Sequence, residues 1–321
     1  MNRHPQRAVL FFCADLARDP VAARVFEAST RLLELRETGD AVDGFPVLAH
    51  RDAAGRELVY VRTAEVLSHD YPRYLPTLNE RFADFDLALL VNWHEGANAP
   101  ESILMAHTTG DVPSGTFGAA DPALTMGVLR ALERARRDAG LDHYRTVTEA
   151  THWSGAQLGH PPELLARYPV PLLDVEIGSS PASWADPAAV EALARALPLV
   201  FDGADEPCTS LLCVGGIHFE PSFREAALGE ARPHPAGVSH ILANQWLVSG
   251  GYGAAEGVDK LAACAASVAG GVDALVVHDN LKGPLKATVR ALGDRLGVPV
   301  FNHKRLRQPE PLLAPVGTGL S

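Results

Sequence analysis

Short apolar runs alternate with longer stretches whose apolar positions recur every three or four residues, and the alternation continues almost from end to end. A run too short for a helix and apolar throughout reads as a strand covered on both faces. Residues 8–13, Ala8-Val9-Leu10-Phe11-Phe12-Cys13, are such a run. Residues 20–35 follow as a helix with Val21, Val25, Phe26, Leu32 and Leu33 on one side. The clearest helix is 122–139, where Leu124, Val128, Leu132 and Ala135 share a face, Asp121 can cap and Gly140 can stop it. Further strands are expected at 85–92, 103–107, 146–150, 171–177, 210–215, 274–277 and 299–302, and further helices at 187–197, 258–268 and 283–296. Residues 45–48 and 57–61 read as a short hairpin around Asp52-Ala53-Ala54-Gly55, while 153–168 and 220–237 read as loops.

Strands apolar on both faces need a layer on each side, and connections of helical length favour parallel neighbours. The expectation is an α/β protein: a three-layer α/β/α sandwich with a mostly parallel or mixed central sheet. It forms one domain over 1–321, with a small hairpin insertion around 45–62.

Composition narrows the function. With 47% hydrophobic residues and 28 Lys+Arg against 39 Asp+Glu, the chain is neither disordered nor a fibrous repeat. A net charge of −11 argues against a protein that coats nucleic acid, yet leaves room for a local basic site. All four Lys fall late, at Lys260, Lys282, Lys286 and Lys304, and with Arg305 and Arg307 they are either phosphate contacts or a solvated face. Cys13, Cys208, Cys213 and Cys264 lack C-x-x-C spacing and read as buried free thiols. The apolar run after Arg3 and Arg7 is ended by Asp15, too early for a signal peptide, and no stretch reaches the ~18 apolar residues of a membrane span. A cytoplasmic protein with no membrane partner is expected.

The polar residues that end the strands carry the functional signal. One apolar run arrives at His94, the next at His107, and others at His152, at Ser179-Ser180, at His218 and at His278. Ligands of open α/β sheets bind at the carboxyl ends of strands, so these histidines are candidates for one pocket. Neutral imidazole is both a common metal ligand and a base near neutral pH. Glu149 and Glu176 lie within predicted strands, where a carboxylate needs a metal or a partner; a buried ion pair with Arg is the alternative. H-E-x-x-H is absent, so no zinc motif stands on spacing alone.

At these same residues the chain resembles the archaeal and plant type of D-aminoacyl-tRNA deacylase. His107-Thr108-Thr109-Gly110-Asp111 is similar to the family's H-x-x-G-N, and Glu149-Ala150-Thr151-His152 to its E-A-T-H. Glu176-Ile177-Gly178-Ser179-Ser180 with Trp184 matches E-I-G-S-S followed by Trp. Gly215-Gly216-Ile217-His218-Phe219-Glu220-Pro221 resembles G-G-x-H-[YF]-x-P, and His240-Ile241-Leu242 resembles H-I-L. The resemblance implies a phosphorylase/hydrolase-like α/β/α fold, dependence on zinc, and hydrolysis of the ester joining a D-amino acid to the tRNA 3′ end. It implies His94, His152 and His218 as metal ligands, and His107, Glu149, Glu176 and His240 as catalytic groups. Thr109, Gly110, Ser179, Ser180, Gly215 and Gly216 are the implied substrate contacts. Two departures fall in the pocket: Trp153-Ser154-Gly155 stand where the family has a second His and Gly-Pro, and Trp93 and Glu95 replace Arg and Ser around His94. They keep open a related hydrolase acting on a smaller aminoacyl or nucleoside metabolite.

Overall fold

The computed structural model describes residues 5–96, 99–229 and 236–313. In chain order its strands are β1 (Arg7–Cys13), β2 (Arg36–Val42), β3 (Phe45–Arg51), β4 (Glu57–Thr63), β5 (Leu87–His94), β6 (Ser102–Thr108) and the two-residue pair β7 (Gly110–Asp111) and β8 (Thr116–Phe117). They continue with β9 (Arg145–Thr148), β10 (Leu172–Ser179), β11 (Thr209–Val214), β12 (Ala236–Leu242), β13 (Ala274–Val277) and β14 (Val300–Asn302). Eight of them form one sheet in the order β2-β3-β4-β1-β5-β10-β6-β9, and four form a second in the order β12-β11-β13-β14.

The α/β architecture with a mixed central sheet is as expected. In its centre β4, β1, β5 and β10 run parallel, whereas β6 runs antiparallel to β10. The hairpin is present as β3 and β4, and β4 pairs along its whole length with β1, so it extends the main sheet. The second sheet is entirely parallel.

Each sheet buries both faces. Leu10, Phe12, Leu89, Val91, Leu173 and Val175 meet the helices Ala22–Leu32, Pro122–Asp138 and Pro187–Ala196. Asp121 caps the second of these, accepting from the amides of Ala123 and Leu124. The opposite face presents Val9, Phe11, Ala88, Leu90 and Leu172 to the helix Tyr71–Arg81 and to Trp153 and Tyr168. Leu211, Cys213, Ala274 and Val276 of the second sheet join the first core, while Leu212, Val214 and Leu275 pack under the helices Gly257–Ala266 and Gly283–Leu296.

Both expected loops contain helix. In 220–237, Pro221–Leu228 is helical because Glu220 caps it through the Ser222 amide and Pro221 occupies its first turn; residues 230–235 lie outside the described residues. In 153–168, Ser154–Gln157 is helical and Pro162–Arg167 forms a 3₁₀ turn. All four cysteines are free, and Cys13, Cys213 and Cys264 are buried. No described helix is long and apolar enough to cross a membrane.

Candidate active site

Residues two apart on a strand share a face. On β5 the face that carries Ala88 and Leu90 continues into Asn92 and His94. On β10 the face of Leu172 continues into Asp174 and Glu176, with Asp174 opposite Leu90 and Glu176 opposite Asn92. Antiparallel β6 adds His107 across from Asp174 and Met105 across from Glu176. A single face thus changes from apolar to ionisable halfway along its strands.

The segment 149–152 covers this polar half. It leaves β9 and stitches the two sheets together: the Ala150 amide donates to the His218 carbonyl at 2.9 Å, and that of Thr151 to Ile241 in β12 at 2.8 Å. Glu149 is thereby fixed at the centre with a fully buried side chain. His94 Nε2 lies 3.3 Å from its Oε1, and His218 Nε2 is hydrogen-bonded to the same oxygen. On the other side, His107 Nε2 lies 3.9 Å from Glu149 Oε2, 3.8 Å from Asp174 Oδ2 and 3.8 Å from Glu176 Oε1. The His152 ring stacks on His107 with centroids 4.0 Å apart. Among the described residues the ion-pair partners of these three carboxylates are histidines, not the arginine that the alternative reading required.

Hydrogen bonds fix the orientation of the imidazoles. His107 Nδ1 faces the Thr108 carbonyl at 3.1 Å and His152 Nδ1 the Ala150 carbonyl at 2.9 Å. A carbonyl only accepts, so each Nδ1 carries a proton and each Nε2 is turned inward, as a lone pair in the neutral ring and as a second N–H in the imidazolium. Burial opposes an imidazolium at His107, but Glu176, Asp174 and Glu149 outweigh it and push its pKa up to about 10. Burial and the neighbouring His107 push His152 down to about 3. Burial also lifts the Glu176 carboxyl to about 7. For Glu149 the surrounding imidazoles overcome burial and hold the carboxyl well below its usual range.

Three buried carboxylates ringed by imidazoles need positive charge, which protons on the imidazoles or a bound cation can supply. His107 Nε2, Glu149 Oε2, Glu176 Oε2 and Asn92 Oδ1 are buried without a hydrogen-bond partner. Three ligand sets bring their donor atoms within 4.8 Å of one another: His94–Glu149–His218, His107–Glu149–His152 and His107–Asp174–Glu176. Imidazole nitrogen and carboxylate oxygen are the donors a divalent ion such as Zn²⁺ takes, so the residues fit one. The three histidines expected as metal ligands do converge on Glu149, divided between two of these sets.

A cavity of about 680 Å³ opens onto the cluster. His94, Glu149, His152, Glu176 and His218 reach it, with Trp93, Phe219 and Ile217 among its apolar lining and Asn92, Asn244 and Asn280 among its polar lining.

The other expected site residues take supporting places. Ser179 Oγ lies 2.7 Å from His94 Nδ1, and Trp184 donates to the His94 carbonyl at 3.1 Å. Gly178 permits this approach, because a Cβ there would lie 2.6 Å from that of His94. Ser180 caps the short helix Pro181–Trp184. The Gly215 amide donates to Leu242 and the Gly216 amide to Asn280 Oδ1, so these glycines shape the turn that carries His218 and offer no amide to a substrate. Gly216, at φ +83°, packs against Glu220. Thr109 and Gly110 are buried away from the cavity, Thr109 bonding the Leu172 carbonyl. His240 stays behind the cluster, between Thr108 Oγ1 at 3.0 Å and Ser267 Oγ at 3.0 Å. His278 belongs to the second sheet, where it stacks on His303 and faces Glu220. Asp174 was missed, although its position two residues before Glu176 on one strand is the signal that finds it.

A family model described as D-aminoacyl-tRNA deacylase matches residues 81–301, more than half of the chain. The D-aminoacyl-tRNA deacylase of Haloarcula marismortui is 34% identical over 179 residues, 51% of this chain and 35% of that protein. The one of Methanoregula boonei is 32% identical over 153 residues, 45% of this chain and 30% of that protein. The matched region spans about a third of the length of these relatives. A crystal structure of AF0625, a conserved protein of unknown function, superposes with a TM-score of 0.74 at 16% identity, over 95% of this chain and 98% of that one; it shares the fold.

Proposed function

The chain belongs to the D-aminoacyl-tRNA deacylase family, and we propose from that premise that it hydrolyses the ester between a D-amino acid and the tRNA 3′ end. The observation that carries the reading is that the buried carboxylates Glu149, Asp174 and Glu176 take histidines as their ion-pair partners, with Glu149 and Glu176 at the wall of an open cavity.

His94, Glu149 and His218, the set whose three members all reach the cavity, would hold a divalent cation, with His152 on the other side of Glu149. When bound, Zn²⁺ supplies Lewis acidity toward an ester carbonyl. Glu176 is the general base: its Oε2 has no partner, and a carboxyl raised to about 7 is matched to neutral pH. A water gives its proton to Glu176 Oε2 as its oxygen adds to the ester carbonyl carbon. The bond from that carbon to the ribose oxygen then breaks, and the same proton passes to the departing oxygen. Free amino acid and the tRNA hydroxyl result. The unpartnered Oδ1 atoms of Asn92 and Asn244 suit the substrate's ammonium or ribose hydroxyl. Trp93 and Phe219 offer an apolar wall to the side chain and the terminal base.

The test is deacylation of a D-aminoacyl-tRNA by protein of measured metal content, before and after chelation. Activity lost on chelation and restored by Zn²⁺ is expected. Full activity without metal overturns the cation's role, and no deacylation by metal-loaded protein overturns the function.

A further inference from the structure

The cations singled out in the sequence separate into two groups. Lys304 pairs with Asp279 at 2.7 Å, Arg307 with Glu225 at 2.7 Å and Arg305 with Glu310 at 3.5 Å. Lys260 is spent on the carbonyls of Pro113 and Gly250 at 2.7 and 2.8 Å. Lys282 and Lys286 pair with no carboxylate among the described residues, and neither does Arg290. These three sit at intervals of four on the helix Gly283–Leu296 and the residue before it, a spacing that aligns them on one side. Lys282 and Arg290 are exposed and Lys286 is half-buried.

The stripe begins at the mouth of the active site. Asn280, two residues before Lys282, lines the cavity and accepts from the Gly216 amide at 3.0 Å. Lys286 reaches back to the Asp279 carbonyl at 3.2 Å, which brings its ammonium group beside Asn280. The Asp279 carboxylate, next in sequence to Asn280, is already held by Lys304 and Asn302. Asp294 follows Arg290 by one helical turn, at the far end.

We propose that Lys282, Lys286 and Arg290 form the track that carries the phosphate backbone of the tRNA acceptor end away from the cavity. This rests on the deacylase reading above. Three cations at four-residue intervals cover about 12 Å of helix axis, on the order of three phosphates of one strand at about 3.4 Å of axis per charge. In a chain of net charge −11, an uncompensated stripe beside the cavity gives a polyanion a place to settle, and its position orients the 3′ end toward Glu149.

The experiment compares the metal-loaded parent with K282A/K286A/R290A and with a charge-matched control, R24A/R31A/R145A. Each is titrated with uncharged tRNA ending in its 3′ CCA at several salt concentrations, and each is assayed for hydrolysis of D-aminoacyl-tRNA and of a minimal aminoacyl-adenosine. The stripe variant is expected to bind tRNA about tenfold more weakly, with a salt slope smaller by about 2 to 3. Its KM for aminoacyl-tRNA should rise while kcat stays, and its turnover of aminoacyl-adenosine should match the parent. Parent-like affinity and slope in the stripe variant, equal losses in the control, or a parent that cleaves the ester without binding tRNA each overturn the track. Stripe-dependent tRNA binding with no ester hydrolysis by the parent would instead overturn the deacylase reading and leave the track standing.

Discussion

One face of the large sheet contains two regions built on the same strands. Toward one end lie Val9, Phe11, Ala88, Leu90 and Leu172, sealed by Tyr71, Trp153 and Tyr168. One strand step further lie Asn92, His94, His107, Asp174 and Glu176, equally buried and almost wholly ionisable. Backbone pairing is continuous across the boundary, so the sheet itself does not need the second set. Burial of apolar area stabilises the first region, at about 25 cal/mol per Å². Burial of carboxylates destabilises the second unless protons or a cation compensate. The sheet keeps its costly half where a cavity meets it, which is the pattern of a site retained for chemistry.

The largest effect should come from moving the boundary. Leu172→Asp extends the row of Asp174 and Glu176 by one step into the apolar half, where no imidazole faces it. A loss above about 4 kcal/mol is expected, read as a collapsed urea midpoint or insoluble protein. A normal midpoint would erase the distinction between the regions. Next comes Glu176→Gln, which keeps shape and removes the proton acceptor. Here kcat should fall about 10²- to 10⁴-fold, while the urea midpoint holds or rises because a buried carboxylate has gone. A drop in midpoint with retained kcat would make Glu176 structural.

The two regions were also unequally legible in the sequence. The apolar half follows from runs such as 8–13, because a strand covered on both faces must be apolar throughout. In the polar half His94, His152 and His218 stood out by ending such runs. Asp174 was hidden because it interrupts one, and only the two-residue period links it to Glu176. The placement of His107 was not readable, since run length does not give strand direction; antiparallel β6 brings it beside Asp174 rather than to a common strand end. The helix Tyr71–Arg81 was masked by Pro72 and Pro76, which blur its periodicity. Strand β12 was masked by Gly237, Ser239 and His240, which break its apolar run; the Ser239 carbonyl and the His240 ring meet Thr108 of the large sheet.

A third effect separates the regions by their response to metal. A cation that binds only the folded state raises stability by about 2.7 kcal/mol at a hundred times its Kd. Thermal unfolding with Zn²⁺ against a chelator should show this shift in the parent. The shift should vanish in His94→Ala and persist in Val9→Ala, despite the lower baseline of the latter. An equal shift in His94→Ala would remove that residue from the cation site.

The smallest effect tests whether the polar half is ordered as tightly as its neighbour. Ser179 Oγ holds His94 Nδ1 at 2.7 Å without itself reaching the cavity, and thereby aims Nε2 at Glu149. A hydrogen bond on the far nitrogen of a ligating imidazole sets its orientation and basicity, and its loss weakens metal affinity by about 10- to 100-fold. Ser179→Ala should therefore lower Zn²⁺ affinity about tenfold, with Ser179→Thr restoring most of it and the urea midpoint of metal-free protein moving little. Saturating Zn²⁺ should return the kcat of Ser179→Ala toward that of the parent, a rescue that a packing defect would not permit. Unchanged affinity in Ser179→Ala would mean that His94 is held by Gly178 and Trp184 alone, and that the polar half, like the apolar half, is ordered by packing rather than by hydrogen bonds.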